Sequence, residues 1–284
     1  MYPLGYNRNL SLFLKAFSVN KGHCLVIGGS GFVGSAISEV AAEQGWQVSI
    51  VGSKDYDEKI GQRFDLVINA NGNAKRFLAN RDPLFDFQAS AASVYSSLFD
   101  FKYEHYVLVS TVDVYNHPSQ AATTREDAQI ELEALGSYAF HKRLAELFVM
   151  RNCSSWQIVR LAQMVGPNLS KGPIFDVLQK NPLWIDSATR LHFMSTRHVA
   201  QYLLALASKG TKNEIYNLCG RGNVEFRRVI DLLPPELRPG PQSDTEQQIY
   251  DIDTDKAHQI VPLPASWDEV AAFMKDAMPQ GGER

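Results

Sequence analysis

His23-Cys24-Leu25-Val26-Ile27-Gly28-Gly29-Ser30-Gly31-Phe32-Val33-Gly34 is a short apolar run that ends in a glycine-rich turn. An uninterrupted apolar run of this length reads as a strand buried on both faces. A helix follows from about Phe32 to Gln44, and Gly45 stops it. Placed between a strand and a helix, the G-x-x-G-x-x-G string reads as a dinucleotide fingerprint rather than an ordinary turn. The bend must be tight, and the backbone must approach a pyrophosphate with no Cβ in the way. The last glycine lets the helix pack close to the sheet. Free N–H groups and the dipole at the helix start then favour the anion. Gly28, Ser30, Gly31, Phe32, Val33 and Gly34 are the expected pyrophosphate contacts.

Working outward, 46–51 reads as the second strand and 65–70 as the third. A helix runs from Pro83 to about Phe99, and 105–110 is the fourth strand. Ser137–Asn152 is a helix and Trp156–Leu161 the fifth strand. Strands that alternate with helices indicate βαβ units and a parallel sheet. The fold class is α/β: a Rossmann-type doubly wound parallel sheet with a small C-terminal substrate-binding region. The dinucleotide-binding part spans 21–165, with 191–220 returning to it. A helix from about His198 and a strand at Glu214–Leu218 are expected in that returning segment, and residues 166–190 and 221–284 form the smaller region, with a proline-rich loop over Leu233–Glu246 and a helix near Ser266. Residues 1–20 are an N-terminal extension. Leu10, Phe13, Leu14 and Phe17 share one helix face there, for packing on the main domain or for a dimer contact.

The chain has 284 residues, 45% of them hydrophobic and 21% charged, so it can bury a full core. The net charge of −3 argues against a phosphate-backbone partner, so no nucleic acid is expected. Cys24, Cys153 and Cys219 form no C-x-x-C pair, and no H-E-x-x-H occurs, so no metal site is expected. No apolar run approaches the roughly 18 residues a membrane span needs. The segment nearest to a signal peptide, Leu10 to Val19, is interrupted by Lys15 and has no small-residue cleavage site. No membrane association and a cytoplasmic setting are expected.

The second strand ends Val51-Gly52-Ser53-Lys54, where an Asp or Glu ordinarily holds the ribose 2′-hydroxyl of NAD. Asp55 is the first carboxylate. Ser53 and Lys54 suit a 2′-phosphate, which favours NADP(H) over NAD, although a lysine can equally be a solvated surface charge. Tyr138-Ala139-Phe140-His141-Lys142 is Y-x-x-x-K, with both ends on one helix face. A neighbouring ammonium lowers a phenol's pKa, so Tyr138 could serve as general acid or base. The fourth strand ends Val109-Ser110-Thr111-Val112-Asp113-Val114-Tyr115, and ligands of open α/β sheets bind outside such ends. Thr111 is the candidate hydrogen-bonding hydroxyl.

The order GGSGFVG, VLVSTVDVY, SYAFHK with Glu146 one turn on, and RLAQMVGP resembles the NAD(P)-dependent epimerase/dehydratase family, the extended short-chain dehydrogenase/reductases, over about residues 23–220. The resemblance implies hydride exchange with a nicotinamide, usually at a carbon of a nucleotide-linked sugar. It implies Thr111 as the catalytic hydroxyl, Tyr138 as acid/base and Lys142 as ribose ligand. Asp113 stands where dehydratases of the family carry a Glu that could abstract a proton beside a ketone. The further cofactor contacts are Asn69, Ala70 and Asn71 after the third strand, Ser110, and Leu161 ending the fifth. Gln163, Lys171, Arg190 and Arg197 are the candidate substrate contacts. The family commonly pairs through the helices after the third and fourth strands, so a homodimer is expected.

Several positions depart from the family pattern. The crossover Gly52–Phe64 is short, Ser90 replaces a common Asn, Gln163 replaces another, and Leu191 stands at an Arg position beside Arg190. The reading that follows is a keto-sugar reductase or epimerase. A nucleotide-sugar 4,6-dehydratase is the close rival, and an NAD(P)-binding sensor or scaffold without chemistry is the rival of another class. A non-sugar ketone substrate would need an apolar pocket, for which Phe175, Trp184 and Phe193 are candidates.

Overall fold

The computed structural model describes residues 21–73, 75–240 and 245–278. The expected helix around Leu10–Phe17 lies outside the described residues. β1 (His23–Ile27) leads through the glycine turn into α1 (Phe32–Glu43) and on to β2 (Gln47–Val51). β3 (Arg63–Asn69) follows a crossover with no α-helix. Then α2 (Arg76–Arg81), α3 (Pro83–Phe87), a π-helical turn at Gln88–Ala92 and α4 (Ser93–Asp100) lead to β4 (Lys102–Thr111). α5 (Ser137–Asn152) connects to β5 (Trp156–Leu161). The remainder runs β6 (Gln163–Val165), α6 (Pro173–Leu178), β7 (Arg190–Leu191), β8 (Phe193–Ser195), α7 (Thr196–Ser208), β9 (Glu214–Leu218), β10 (Val224–Glu225), α8 (Phe226–Ile230), α9 (Asp255–Ile260) and α10 (Ser266–Ala277).

Six strands pair in parallel in the order β2-β1-β3-β4-β5-β9. The chain winds outward in one direction from β1 and in the other from β3. Ligands of such sheets bind at the carboxyl ends of the strands, where the winding reverses. Alternate side chains of β1 serve opposite faces, as strand geometry requires. Cys24 and Val26 pack with Ile37, Val40, Leu203 and Leu204 of α1 and α7, whereas Leu25 and Ile27 pack with Val94, Leu98 and Val149 of α4 and α5. A third cluster lies off the sheet around Ile174, Phe193, Phe226 and Met274.

Two local features differ from the sequence reading. The expected helix from Pro83 to Phe99 is broken by the π-turn, in which the Ser93 hydroxyl donates to the Ala89 carbonyl at 2.7 Å. α6 has no counterpart in the sequence reading; Pro173 occupies its first turn, where its missing N–H costs nothing. The short β2–β3 crossover needs no helix because Tyr56 anchors it: the ring packs edge-on to Phe101 and the hydroxyl donates to Asp100 at 2.9 Å.

Candidate active site

The glycine turn fits a pyrophosphate. Gly28 has φ of +75°, a left-handed conformation that glycine adopts without strain. A Cβ on Gly34 would collide with the Gly28 carbonyl oxygen, so α1 can start this close to β1 only with glycine there. Gly31 caps α1 with no side-chain acceptor, which leaves the first-turn N–H donors pointing outward for an anion. At the end of β2, Asp55 turns back and accepts the Gly52 N–H at 2.7 Å. Ser53 and Lys54 are exposed beside it.

A cleft of about 600 Å³ opens at the carboxyl ends of the strands, within the range of small-molecule sites. Of the residues singled out from sequence, Phe32, Val33, Ala70, Asn71, Ser110, Thr111, Asp113, Tyr138, Lys142, Leu161, Gln163 and Lys171 line it. Topology brings them together. β3, β4 and β5 present their ends side by side, and α5 returns over β4 with Tyr138 and Lys142 on its cleft face.

Tyr138 and Thr111 both line the cleft at the open end of β4. Burial pushes the Tyr138 phenol above the usual range. The Asp113 charge adds to this, while Arg76 and the Thr111 hydroxyl oppose it. Lys142 is almost fully buried, donates to the Val109 carbonyl at 2.8 Å, and is brought down to about 8 by burial. Its ammonium is directed at the β4 backbone.

Asp113 is held from two sides. Arg76 Nε donates to Oδ2 at 2.7 Å, Arg76 Nη2 pairs with Oδ1, and the Tyr250 hydroxyl donates to Oδ1 at 2.9 Å. A carboxylate with both oxygens engaged in this way is poorly placed as a free base, which weighs against the role expected for Asp113. Ser110 directs its hydroxyl into the floor, donating to Glu146 at 2.6 Å. Glu146 also accepts from Arg160 Nε at 3.0 Å, Arg160 Nη2 at 2.8 Å and Arg143 at 2.7 Å. Burial alone would raise this carboxyl. The cations and the Ser110 hydroxyl outweigh burial and hold it below the usual carboxylate range.

Other expected contacts lie elsewhere. Asn69 is wholly buried: its amide donates to Ser97 and Tyr106, and its oxygen accepts the Asn71 N–H. Its side chain shapes the end of β3 from within. Arg197 pairs with Glu43 at the end of α1, and Arg190 sits exposed on β7, paired with β10; neither lines the cleft. Phe193 is wholly buried in the third cluster, whereas Phe175 and Trp184 reach the cleft wall.

The sequence reading missed the segment after β3. Lys75, Arg76 and Phe77 line the cleft on one side, and Leu169, Ser170 and Ile185 on another. Two adjacent cations just past a strand's carboxyl end were the available signal. Lys171 is brought down to about 8 by burial and by the nearby Lys75 charge, so two like charges share one end of the cleft.

No curated protein sequence matches this chain significantly. Solved structures share its fold. UDP-glucuronic acid 4-epimerase from Bacillus cereus aligns with a TM-score of 0.74 at 15% identity, covering 90% of this chain and 98% of that one. A UDP-galactose 4-epimerase aligns at 0.71 and 19%, covering 89% and 98%. RMD from Pseudomonas aeruginosa, complexed with NADPH, aligns at 0.70 and 19%, covering 90% and 99%. The profile of the NAD dependent epimerase/dehydratase family matches residues 24–219, more than half of the chain and all of the strand ends that build the cleft. This protein therefore belongs to the NAD dependent epimerase/dehydratase family, the extended short-chain dehydrogenase/reductase enzymes.

Proposed function

We propose that the protein is a reductase of a nucleotide-linked keto-sugar that uses NADP(H). The observation that carries this reading is that Thr111, Tyr138 and Lys142 line one cleft at the open end of β4. A bound nicotinamide supplies the hydride. Thr111 hydrogen-bonds the substrate oxygen, and Tyr138 delivers the proton that the oxygen takes up. A phenol held above its usual range stays protonated at neutral pH, the form a reduction needs. The engaged Asp113 weighs against dehydration, which needs a free base. Lys75 and Lys171 give the far end of the cleft a positive field suited to a diphosphate. The smaller C-terminal region, around Ile174 and Phe226, would hold the rest of the substrate. Three buried free thiols are compatible with a reducing, cytoplasmic setting, and no helix among the described residues is long and apolar enough to cross a membrane.

NADPH is expected to bind more tightly than NADH, and Lys54→Ala to narrow the preference about ten-fold, the size of one charge-assisted contact. Equilibrium fluorescence titration measures both. Equal affinities in the unaltered protein would remove Lys54 from the site and point to NAD(H).

A second reading, a non-sugar apolar ketone, is favoured by Phe77 and Trp184, which line the cleft while 62% and 79% exposed. UDP and similar nucleotides should compete with substrate under the first reading and have no effect under the second.

A homodimer would cover the apolar surface of the helices after β3 and β4. Phe99 is 63% exposed and packs against the exposed Tyr95 on the same helix, and Met150 on α5 is exposed as well. Phe99→Glu is expected to convert the dimer to a monomer in light scattering, and a mass of one chain before substitution would refute the dimer.

A further inference from the structure

The mechanism above leaves one buried ionisable pair unused, and it lies directly behind the acid/base residues. Asp86, on α3, is wholly buried. Its Oδ2 meets His141 Nδ1 at 2.6 Å; its Oδ1 accepts from Asn73 Nδ2 at 2.8 Å and from the Ser90 hydroxyl at 3.3 Å. Ser90 sits in the π-turn and in turn accepts the Asn73 N–H at 3.1 Å. Asn73 continues the set toward the cleft, exchanging hydrogen bonds with the Lys75 backbone at 2.9 and 3.0 Å. His141 stands immediately before Lys142 on α5. At Gly72 the absent side chain leaves a point 3.4 Å from the Ser90 hydroxyl and 3.7 Å from Lys142 Nζ, so the two polar groups face the same small space.

One carboxylate thus joins three elements: the helix that carries Tyr138 and Lys142, the π-turn, and the start of α2 with the cleft residues Lys75 and Arg76. A buried charge persists only where it is paired and hydrogen-bonded, and removing one partner is costly. π-turns concentrate at functional sites, because the extra residue re-aims side chains. We propose that Asp86, paired with His141, is a positioning residue that holds the π-turn and the Lys75–Arg76 segment in register against α5, the helix that carries Lys142. The proposal rests on the reading of Tyr138 and Lys142 as the acid/base pair.

The charges that face Lys142 are Glu146 on its own helix, compensated by Arg160 and Arg143, and Asp86 from α3, compensated by His141 when that ring is protonated. Both carboxylates favour the ammonium against burial. Without Asp86 the amine should therefore lose its proton at lower pH. The test is a carbon NMR titration of the full chain labelled at the lysine ε-carbon, with the Lys142 signal identified by its absence from Lys142→Met. The Lys142 midpoint should lie near pH 8, and Asp86→Asn should lower it by about one unit. A midpoint unmoved in a folded Asp86→Asn protein would overturn the proposal, because a purely structural role lowers melting temperature without moving that titration. If Asp86→Asn does not fold, His141→Gln keeps the carboxylate: its Lys142 midpoint should stay or rise, and a fall would overturn the proposal. The titration uses neither substrate nor cofactor, so its outcome is separate from whether the reductase reading holds.

Discussion

Replacing Tyr138 by phenylalanine is expected to lower kcat by about 10²–10⁴-fold, the range for losing a positioned general acid. The substitution removes one oxygen from a ring whose packing on α5 is otherwise unchanged. Thr111 keeps its hydroxyl, which also accepts the Asp113 N–H at 3.2 Å, so the substrate oxygen retains one partner. Lys142 keeps its bond to Val109. NADPH affinity should therefore change little while turnover collapses, the pattern of an interaction made only in the transition state. Single-turnover kinetics with saturating cofactor measures this directly. Turnover within a few-fold of the unaltered enzyme would remove Tyr138 from the chemistry.

The second large effect concerns stability. Glu146→Ala is expected to cost about 3–5 kcal/mol, because it strands the Arg160 guanidinium, which is 1% exposed. Arg160 also stacks on Tyr115 at 4.8 Å, so the strained charge would sit against the hydrogen bond from the Tyr115 hydroxyl to Asn217. Replacing the pair together, Glu146→Leu with Arg160→Met, should recover much of the loss, since apolar groups of similar volume need no compensation. The same network has a pH signature. The Glu146 carboxyl is held below its usual range in the folded protein, so its stabilisation is fully present above the unfolded value, about 4.3, and is lost as pH falls through the folded value. Urea midpoints across the acid range should fall more steeply for the native protein than for the Leu/Met double variant. Equal slopes would show that Glu146 carries no acid-linked stability.

The parts of this site that were legible in the sequence are those fixed by local pattern. The strand–glycine turn–helix unit, Y-x-x-x-K on α5 and the hydroxyl ending β4 each depend on neighbours within a few residues, and secondary structure places them. What was not legible depends on contacts far apart in the chain. Asp113 reads as a free carboxylate until Arg76, 37 residues away, and Tyr250, 137 residues away, close on it. Arg197 reads as an anion contact until Glu43 takes it, 154 residues away. Asn69 reads as a polar strand end facing the cofactor, but Ser97 and Tyr106 draw its amide inward. The π-turn was invisible because nothing in helical spacing marks an added residue. Ser93, whose hydroxyl bonds back to the Ala89 carbonyl there, otherwise reads as a neutral helix residue.

The central claim is that this cleft reduces a nucleotide-linked keto-sugar with a proton from Tyr138. It is tested most directly by incubating the protein with NADPH deuterated at the nicotinamide C4 and a UDP- or dTDP-linked 4-keto-hexose, then locating the deuterium by mass spectrometry. The account expects one deuteron on the sugar carbon per NADPH consumed, and none with Tyr138→Phe. Deuterium that stays on the cofactor while the sugar is unchanged, in a protein that binds both, would contradict it.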